Sequence, residues 1–108
     1  MIKYSDNFLK EAKKLSKKFK LLKQDLQDAV QEIVSQQDLG VYIGYSLYKK
    51  RIKNSSIPTG KSGGFRIIIY KKLESSTVLI SIYAKTNQDT ISDDELKSLV
   101  KEFIANEK

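Results

Sequence analysis

Residues 65–83, FRIIIYKKLESSTVLISIY, decide the fold of this chain. Two runs within this stretch, residues 65–70 and 77–83, are rich in β-branched and aromatic side chains, a composition typical of strands. The polar residues 72–76 between them indicate a turn, so the two strands should pair antiparallel. Residues 77–83 are apolar at most positions, which predicts a central strand buried on both faces.

Alternation of side chains along residues 77–85 predicts which of them meet the helices. The apolar set, which should face the helices, consists of Val78, Ile80 and Ile82. The opposite face of the sheet then carries Ser81, Tyr83 and Lys85.

The chain before these strands reads as a short strand followed by a helix. Residues 2–4 are β-prone, and Ser5 and Asp6 then offer N-cap oxygens to the helix that follows. The apolar residues of this helix recur at helical spacing and are Phe8, Ala12, Leu15 and Phe19.

A second helix follows directly, with a break near Lys20 and Leu21. Its apolar stripe comprises Leu22, Leu26, Ala29, Val30 and Ile33. The two stripes together predict a helical hairpin. Gly40 and Gly44 end the helical pattern before a strand-like run at residues 45–53.

The C-terminal helix has the clearest start. Ser92-Asp93-Asp94-Glu95 forms a capping box, and Ile91 and Leu96 are placed as a hydrophobic staple. The three carboxylates are therefore helix N-terminal charges, and we assign them no catalytic or metal-binding role. The apolar face of this helix comprises Leu96, Leu99, Val100, Phe103 and Ile104.

The predicted element order is β-α-α-β-β-β-α within a single domain of residues 1–108. Helices that come early and strands that come later indicate the α+β class. We therefore expect an antiparallel-dominated sheet that packs against the helices on one face.

Composition excludes several classes of chemistry. The absence of cysteine excludes disulfides, thiolate metal sites and cysteine nucleophiles, and it fits a reducing cytoplasm. The absence of histidine removes the usual side chain for acid–base work near neutral pH. The N-terminus becomes polar at once, and no apolar run reaches the roughly 20 residues of a membrane span, so neither a signal peptide nor a membrane anchor is expected.

A net charge of +7 indicates a polyanionic partner such as nucleic acid, the ribosome or an acidic inhibitory protein. A lysine-biased proteome would give the same balance, so both interpretations stay open from composition alone. Between Asp38 and Glu74, however, no acidic residue offsets the basic ones, which are Lys49, Lys50, Arg51, Lys53, Lys61, Arg66, Lys71 and Lys72. Both arginines of the chain fall in this window, and the planar guanidinium binds phosphate oxygens bidentately.

Strand alternation predicts a cationic patch on an open face of the sheet. Arg51 and Lys53 share one face of their strand, and Arg66 and Tyr70 share a face of the next. The side chains that join the patch from the last strand are Tyr83 and Lys85. The alternative interpretation is a solvated basic face with tyrosines at the edge of the core.

The tripeptide Gly60-Lys61-Ser62 has the ending of a P-loop, but the rest of that motif is absent. Its first glycine would fall at Ser55, and Gly64 opens an extended run where the motif requires a helix. Nucleotide hydrolysis is therefore not expected.

Three stretches, YKKRIKN at residues 48–54, GKSGGFRIIIY at residues 60–70 and IYAK at residues 82–85, resemble the RelE/HigB toxins. The order of elements is similar to theirs over nearly the whole chain. This resemblance implies the toxin of a type II toxin–antitoxin system, nearest to the HigB type. Such toxins are metal-independent mRNA interferases that cleave messenger RNA on the ribosome, inhibit translation and need no cofactor.

The resemblance also implies roles for individual residues. In the family, the ribose 2′-hydroxyl attacks the adjacent phosphate, and Arg66 matches the arginine that stabilises this phosphate. Lys53 matches a candidate general base, Lys85 a candidate proton donor to the leaving oxygen, and Tyr83 a residue that orients it. The expected RNA-binding residues are Lys49, Arg51, Lys61 and Tyr70. A cognate antitoxin protein should mask this patch.

The chain departs from RelE itself, because it has no tyrosine after Lys85. A lysine must then transfer the proton unless Tyr83 or Tyr70 substitutes. Two alternatives stay open: a toxin resembling ParE, which inhibits DNA gyrase, and a non-catalytic RNA- or ribosome-binding module.

Overall fold

The computed structural model describes residues 2–57, 64–72, 76–85 and 92–106. Its elements are β1 (Ile2–Tyr4), α1 (Asp6–Lys18), α2 (Leu22–Gln36), β2 (Val41–Gly44), β3 (Leu47–Ile52), β4 (Phe65–Tyr70), β5 (Thr77–Ala84) and α3 (Asp93–Asn106). None of the helices in the described ranges is long and apolar enough to cross a membrane. Lys61 and the predicted staple residue Ile91 lie outside the described residues.

The five strands form one sheet in the order β1-β5-β4-β3-β2. β1 runs parallel to β5, and every other neighbouring pair is antiparallel. All eight residues of β5 are buried, as its continuous apolarity predicts. The α+β class and the antiparallel-dominated sheet packed against helices are therefore confirmed.

The sheet contains one strand more than predicted, because Val41–Gly44, before the predicted run at residues 45–53, also forms a strand. Tyr45 and Ser46 form a turn with φ values of 56° and 61°, and β2 precedes this turn. Side chains other than glycine adopt this left-handed conformation rarely, so composition does not signal the turn. β2 and β3 therefore form a hairpin at the edge of the sheet.

Helices cover both faces of the sheet, whereas the sequence predicts cover on one. The helical hairpin of α1 and α2 packs on one face in a hairpin-side core, which includes Phe8, Leu22, Ile33, Ile67, Leu79 and Ile82. α3 packs on the other face in an α3-side core, which is formed by Leu47, Ile68, Val78, Ile80, Tyr83 and Leu96. A strand buried on both faces requires this second cover.

α3 begins as predicted. The Glu95 N–H donates to Ser92 Oγ at 3.2 Å, and the Ser92 N–H donates back to Glu95 Oε1 at 3.4 Å. This reciprocal pair is the capping box, and it accounts for the acidic first turn.

A β-bulge in β5 changes the predicted alternation. Ile68 pairs with Ser81 and Ile69 pairs with Leu79, which leaves Ile80 without a partner in the register. The prediction that Val78, Ile80 and Ile82 share one face is therefore wrong. Val78 and Ile80 pack in the α3-side core, whereas Ile82 packs in the hairpin-side core. The extra residue of the bulge moves each later side chain of β5 to the opposite face of the sheet.

Side chains of α1 cover the edge of β5 beyond its pairing with β1. Asn7 Nδ2 donates to the Ile80 carbonyl at 2.9 Å. Glu11 Oε1 accepts hydrogen bonds from Ser81 Oγ at 2.9 Å and from the Ile82 N–H at 3.2 Å. These contacts satisfy backbone groups at the bulge.

Burial raises the pKa of the Glu11 carboxyl above its ordinary value. The hydrogen bonds from Ser81, Ile82 and Asn7 lower it in part, and the nearby charge of Glu102 raises it further. The folded state therefore disfavours the ionised carboxylate relative to the unfolded chain.

We expect Glu11→Gln to gain stability relative to the natural chain as the pH rises. Well below the ordinary glutamate pKa of about 4.3, Glu11 is protonated in both the folded and the unfolded chain, so its ionisation does not lower the stability of the fold. As the pH rises through the raised pKa, the natural chain loses stability that the uncharged glutamine keeps. Urea denaturation at several pH values from 4 to 7 measures the difference, and Asp28→Asn, at an exposed site, is the control. A stability difference for Glu11→Gln that does not change with pH would contradict this account.

Candidate active site

The pairing of β3, β4 and β5 places three predicted site residues in one row across the sheet. Arg51 lies opposite Arg66, and Arg66 lies opposite Tyr83. Residues directly opposite one another point to the same face, with Cβ atoms about 5 Å apart. We call Arg51, Arg66 and Tyr83 the arginine row.

Burial differs strongly within the arginine row. Arg51 is exposed, whereas Arg66 is 2% exposed and Tyr83 is 8% exposed. One Arg66 Nη donates to the Phe65 carbonyl at 3.3 Å. Arg51 and Arg66 therefore bring two guanidinium groups to the same face of the sheet.

Gly64 brings the ends of the same three strands together. A Cβ on Gly64 would lie 2.0 Å from the Ile52 carbonyl oxygen, so only glycine fits against the end of β3. On its other side, the Gly64 carbonyl accepts a hydrogen bond from the Lys85 N–H at 3.0 Å. Lys53 directly follows Ile52, so Lys53 and Lys85 flank Gly64 at this end of the sheet.

We call Lys53 and Lys85 the strand-end pair. Each lies two residues along its chain from a member of the arginine row, a distance of about 6.6 Å in an extended strand. Lys53 is exposed and Lys85 is half-buried. The four residues predicted to be catalytic, namely Arg66, Lys53, Lys85 and Tyr83, therefore occupy one end of one sheet.

Only alternate residues of the basic run on β3 face this site. Lys49 lies opposite Ile68, whose side chain belongs to the α3-side core, so Lys49 and Arg51 share that face. Lys50 points the other way and is 2% exposed. Its Nζ contacts carboxylate oxygens of Glu32 at 3.4 Å and Asp38 at 3.0 Å, which gives it a structural role.

Tyr70 lies apart from this group. The Tyr70 ring lies 5.3 Å from the ring of Phe103 on α3, so it contributes to the packing of that helix. Lys61 is outside the described residues. The structure does not bring Tyr70 to the arginine row.

Asp25 on α2 anchors the segment that follows Lys53. This aspartate is 4% exposed and accepts two hydrogen bonds from Ser55, one from the backbone N–H at 2.8 Å and one from Oγ at 2.6 Å. Ser56 adds a contact by accepting the Leu21 N–H at 3.0 Å. The end of β3 is therefore tied to the start of α2.

Sequence reasoning missed Asp25, although a signal exists. Asp25 lies three residues after Leu22 and four before Ala29, which places a carboxylate on the buried stripe of α2. A carboxylate in an apolar stripe requires a hydrogen-bonding partner. The partner, Ser55, is distant in the sequence and is supplied only by the fold.

The arrangement suits the binding of one negatively charged group with nearby proton donors. The arginine row and the strand-end pair supply four cationic side chains and one phenol within an area about 10 Å across. Guanidinium groups bind phosphate oxygens through charge-assisted hydrogen bonds. Lysine and tyrosine side chains also donate and accept protons in catalysis.

A family model described as the RelE toxin of the RelE / RelB toxin–antitoxin system matches residues 7–106. The match includes the arginine row, the strand-end pair and all three helices except the first residue of α1. A comparison with curated proteins finds no match.

We expect Asp25→Ala to lower the free energy of unfolding by about 1–3 kcal/mol, because it leaves the half-buried Ser55 donors without their acceptor. Asp28→Ala, at an exposed site on the same helix, should change it by no more than about 0.5 kcal/mol. Urea denaturation measures both. Equal stability of the two variants would show that the anchor contributes nothing.

Proposed function

Because the chain belongs to the RelE family of toxins from toxin–antitoxin systems, we propose that it is an endoribonuclease that cleaves messenger RNA on the ribosome. Translation stops because the message is cut. The reaction needs neither a metal nor a small-molecule cofactor, and it takes place in the cytoplasm. We propose that the chain is nearest to the HigB type, because the three stretches quoted above resemble those toxins.

The arginine row is the observation that carries this proposal. During attack by the ribose 2′-hydroxyl, negative charge builds on the oxygens of the phosphate. Arg51 and Arg66 lie side by side on paired strands, so their charges are held in place before the substrate arrives. Fixed cations stabilise such a transition state without reorganising, and they act most strongly where the RNA excludes water.

Each step of the proposed reaction has a candidate residue. Lys53, as the neutral amine, accepts the 2′-hydroxyl proton, and the 2′-oxygen bonds to phosphorus. Arg66 stabilises the charged phosphate oxygens. The bond to the 5′-oxygen then breaks, and Lys85 donates a proton to that oxygen while Tyr83 orients it. The products are a 2′,3′-cyclic phosphate and a 5′-hydroxyl.

The RNA path extends along β3 from this centre. Lys49 and Arg51 share the face of the reaction and contact neighbouring phosphates. Lys61 lies in the segment between β3 and β4 and is proposed to contact RNA as well. We assign Tyr70 a packing role, because its ring already contacts Phe103.

Two macromolecular partners follow from the proposal. The ribosome presents the message, and a cognate antitoxin of the RelB type inhibits the toxin by covering the arginine row. The alternative of a ParE-like gyrase inhibitor gains no specific support, because it gives the arginine row and the strand-end pair no chemical task. A non-catalytic RNA-binding module would use the same cations but would leave no cleaved product.

A cell-free bacterial translation reaction with primer extension tests this proposal. We expect the natural chain to create new 5′ ends in the message only when ribosomes are present. Arg66→Ala should lower the rate by about 10²–10³-fold, the usual effect of removing one fixed donor to a transition state. Lys97→Ala, an exposed cation on α3, should retain full activity.

Because Arg66 is buried, Lys53→Gln provides a second test at an exposed position. It should lower the cleavage rate while the unfolding transition stays unchanged. If the natural chain leaves the message intact, the nuclease proposal fails and a gyrase supercoiling assay becomes the next experiment. Equal cutting of ribosome-free RNA would disprove only the dependence on the ribosome.

A further inference from the structure

The outer face of α1 carries a run of lysines that the proposed reaction does not use. At 100° per residue, five lysines fall within an arc of about 140°. We call them the lysine stripe: Lys10, Lys13, Lys14, Lys17 and Lys18. The apolar residues Phe8, Ala12 and Leu15 lie on the opposite side of the helix and pack in the hairpin-side core.

One acidic residue, Asp6 in the first turn of α1, lies on the same side of the helix as the lysine stripe, but no ion pair joins these described residues. Lys20 and Lys23 continue it into the turn and the start of α2, and no acidic residue lies between Glu11 and Asp25. All seven lysines are exposed, and no carboxylate within residues 2–57, 64–72, 76–85 or 92–106 forms an ion pair with them. Glu11 itself faces the edge of β5.

Helix chemistry explains only part of this pattern. Cations near a helix C-terminus stabilise the helix dipole, which accounts for Lys17 and Lys18 in the last turn of α1. Lys10, Lys13 and Lys14 lie too far from that end for the dipole to favour them. Solvated helix faces usually mix charges of both signs, as α3 does with Asp94, Lys97, Lys101 and Glu102.

We propose that the lysine stripe binds the phosphate backbone of double-helical RNA. This second RNA contact lies on the face of the sheet opposite the arginine row, because α1 and α3 pack on opposite faces. Lysine ammonium groups lack the planar fork of arginine and recognise phosphates as point charges, without regard to sequence. We infer that the RNA bound here is the structured RNA of the ribosome. This identification rests on the proposed function.

The dimensions of the stripe fit this partner. Lys10 and Lys17 are separated by about 10 Å along the helix axis. Each strand of a nucleic-acid duplex carries one phosphate per roughly 3.4 Å of its axis, so the stripe spans about three phosphates of one strand. Flexible lysine side chains adjust to that spacing without a precise fit.

An acidic protein helix is the competing partner, and it would use a different part of α1. An apolar groove runs between α1 and α2, and its lining includes Leu9, Leu26, Val30 and Val34. Lys13 of the lysine stripe lines this groove, as does Lys23 at the start of α2. Lys10, Lys14 and Lys17 face away from it, so they are not placed to flank a helix bound there.

Two triple variants with the same net charge test the inference. Lys10/Lys14/Lys17→Gln removes the centre of the stripe, and Lys3/Lys97/Lys101→Gln removes three exposed lysines elsewhere. The probe is a fluorescently labelled 16-base-pair RNA duplex, and anisotropy gives its Kd over a range of KCl concentrations. Circular dichroism verifies that both variants keep their helix content.

The stripe variant should bind the duplex about tenfold more weakly or worse near 0.1 M KCl, and its salt slope should fall by about 2–3 because three phosphate contacts are lost. The control variant should lose less than one unit of slope. Equal losses in both variants would overturn the proposal, since net charge alone would then explain binding. It would also be overturned if the stripe variant kept its duplex affinity but lost binding to poly-L-glutamate.

Arg66→Ala separates this inference from the proposed reaction. It should lower message cleavage by about 10²–10³-fold while leaving duplex binding unchanged, because Arg66 lies on the other face of the sheet. If the natural chain fails to cut messages but the stripe variant still loses duplex binding, the nuclease proposal fails and the second contact stands. If cleavage occurs and the stripe variant binds the duplex normally, the nuclease proposal stands and the second RNA contact is disproved.

Discussion

The close approach of Gly64 to the carbonyl of Ile52 is the constraint on which the candidate site depends. There is no room for a side chain at this position, so β3 and β4 meet with their backbones in direct contact. The hydrogen bond from Lys85 to the Gly64 carbonyl joins β5 to the same point. Register then follows along all three strands, and Arg51, Arg66 and Tyr83 fall into one row. A residue larger than glycine would separate the strand ends and shift this alignment.

Around this point, the fold separates charges that perform different tasks. Lys50 points to the face covered by α1 and α2, where it contacts Glu32 and Asp38, while its neighbours Lys49 and Arg51 lie on the face of the arginine row. The arginine row thus keeps two guanidinium groups on one face of the sheet, and such groups bind phosphate oxygens through charge-assisted hydrogen bonds.

Much of the fold follows from local patterns in the sequence. Helical periodicity places the hairpin and α3, and the apolar run at Thr77–Ala84 identifies the central strand. The turn at Tyr45 and the bulge at Ile80 escape prediction, because the tertiary fold imposes both against the local preferences. Local patterns also predict part of the candidate site. Residue types and alternation identify the cations, whereas the anchor at Asp25 depends on a partner thirty residues away.

The structure of the toxin bound to a ribosome with a message that carries a 2′-deoxynucleotide at the cleavage site tests the central claim most directly. Without the 2′-hydroxyl the phosphate is bound but not cut, so electron cryomicroscopy would record the complex before reaction. The account predicts the scissile phosphate within about 3 Å of an Arg66 guanidinium nitrogen, with Lys53 and Lys85 on either side. A message that lay against the α1–α2 face, or a phosphate remote from Arg66, would contradict it.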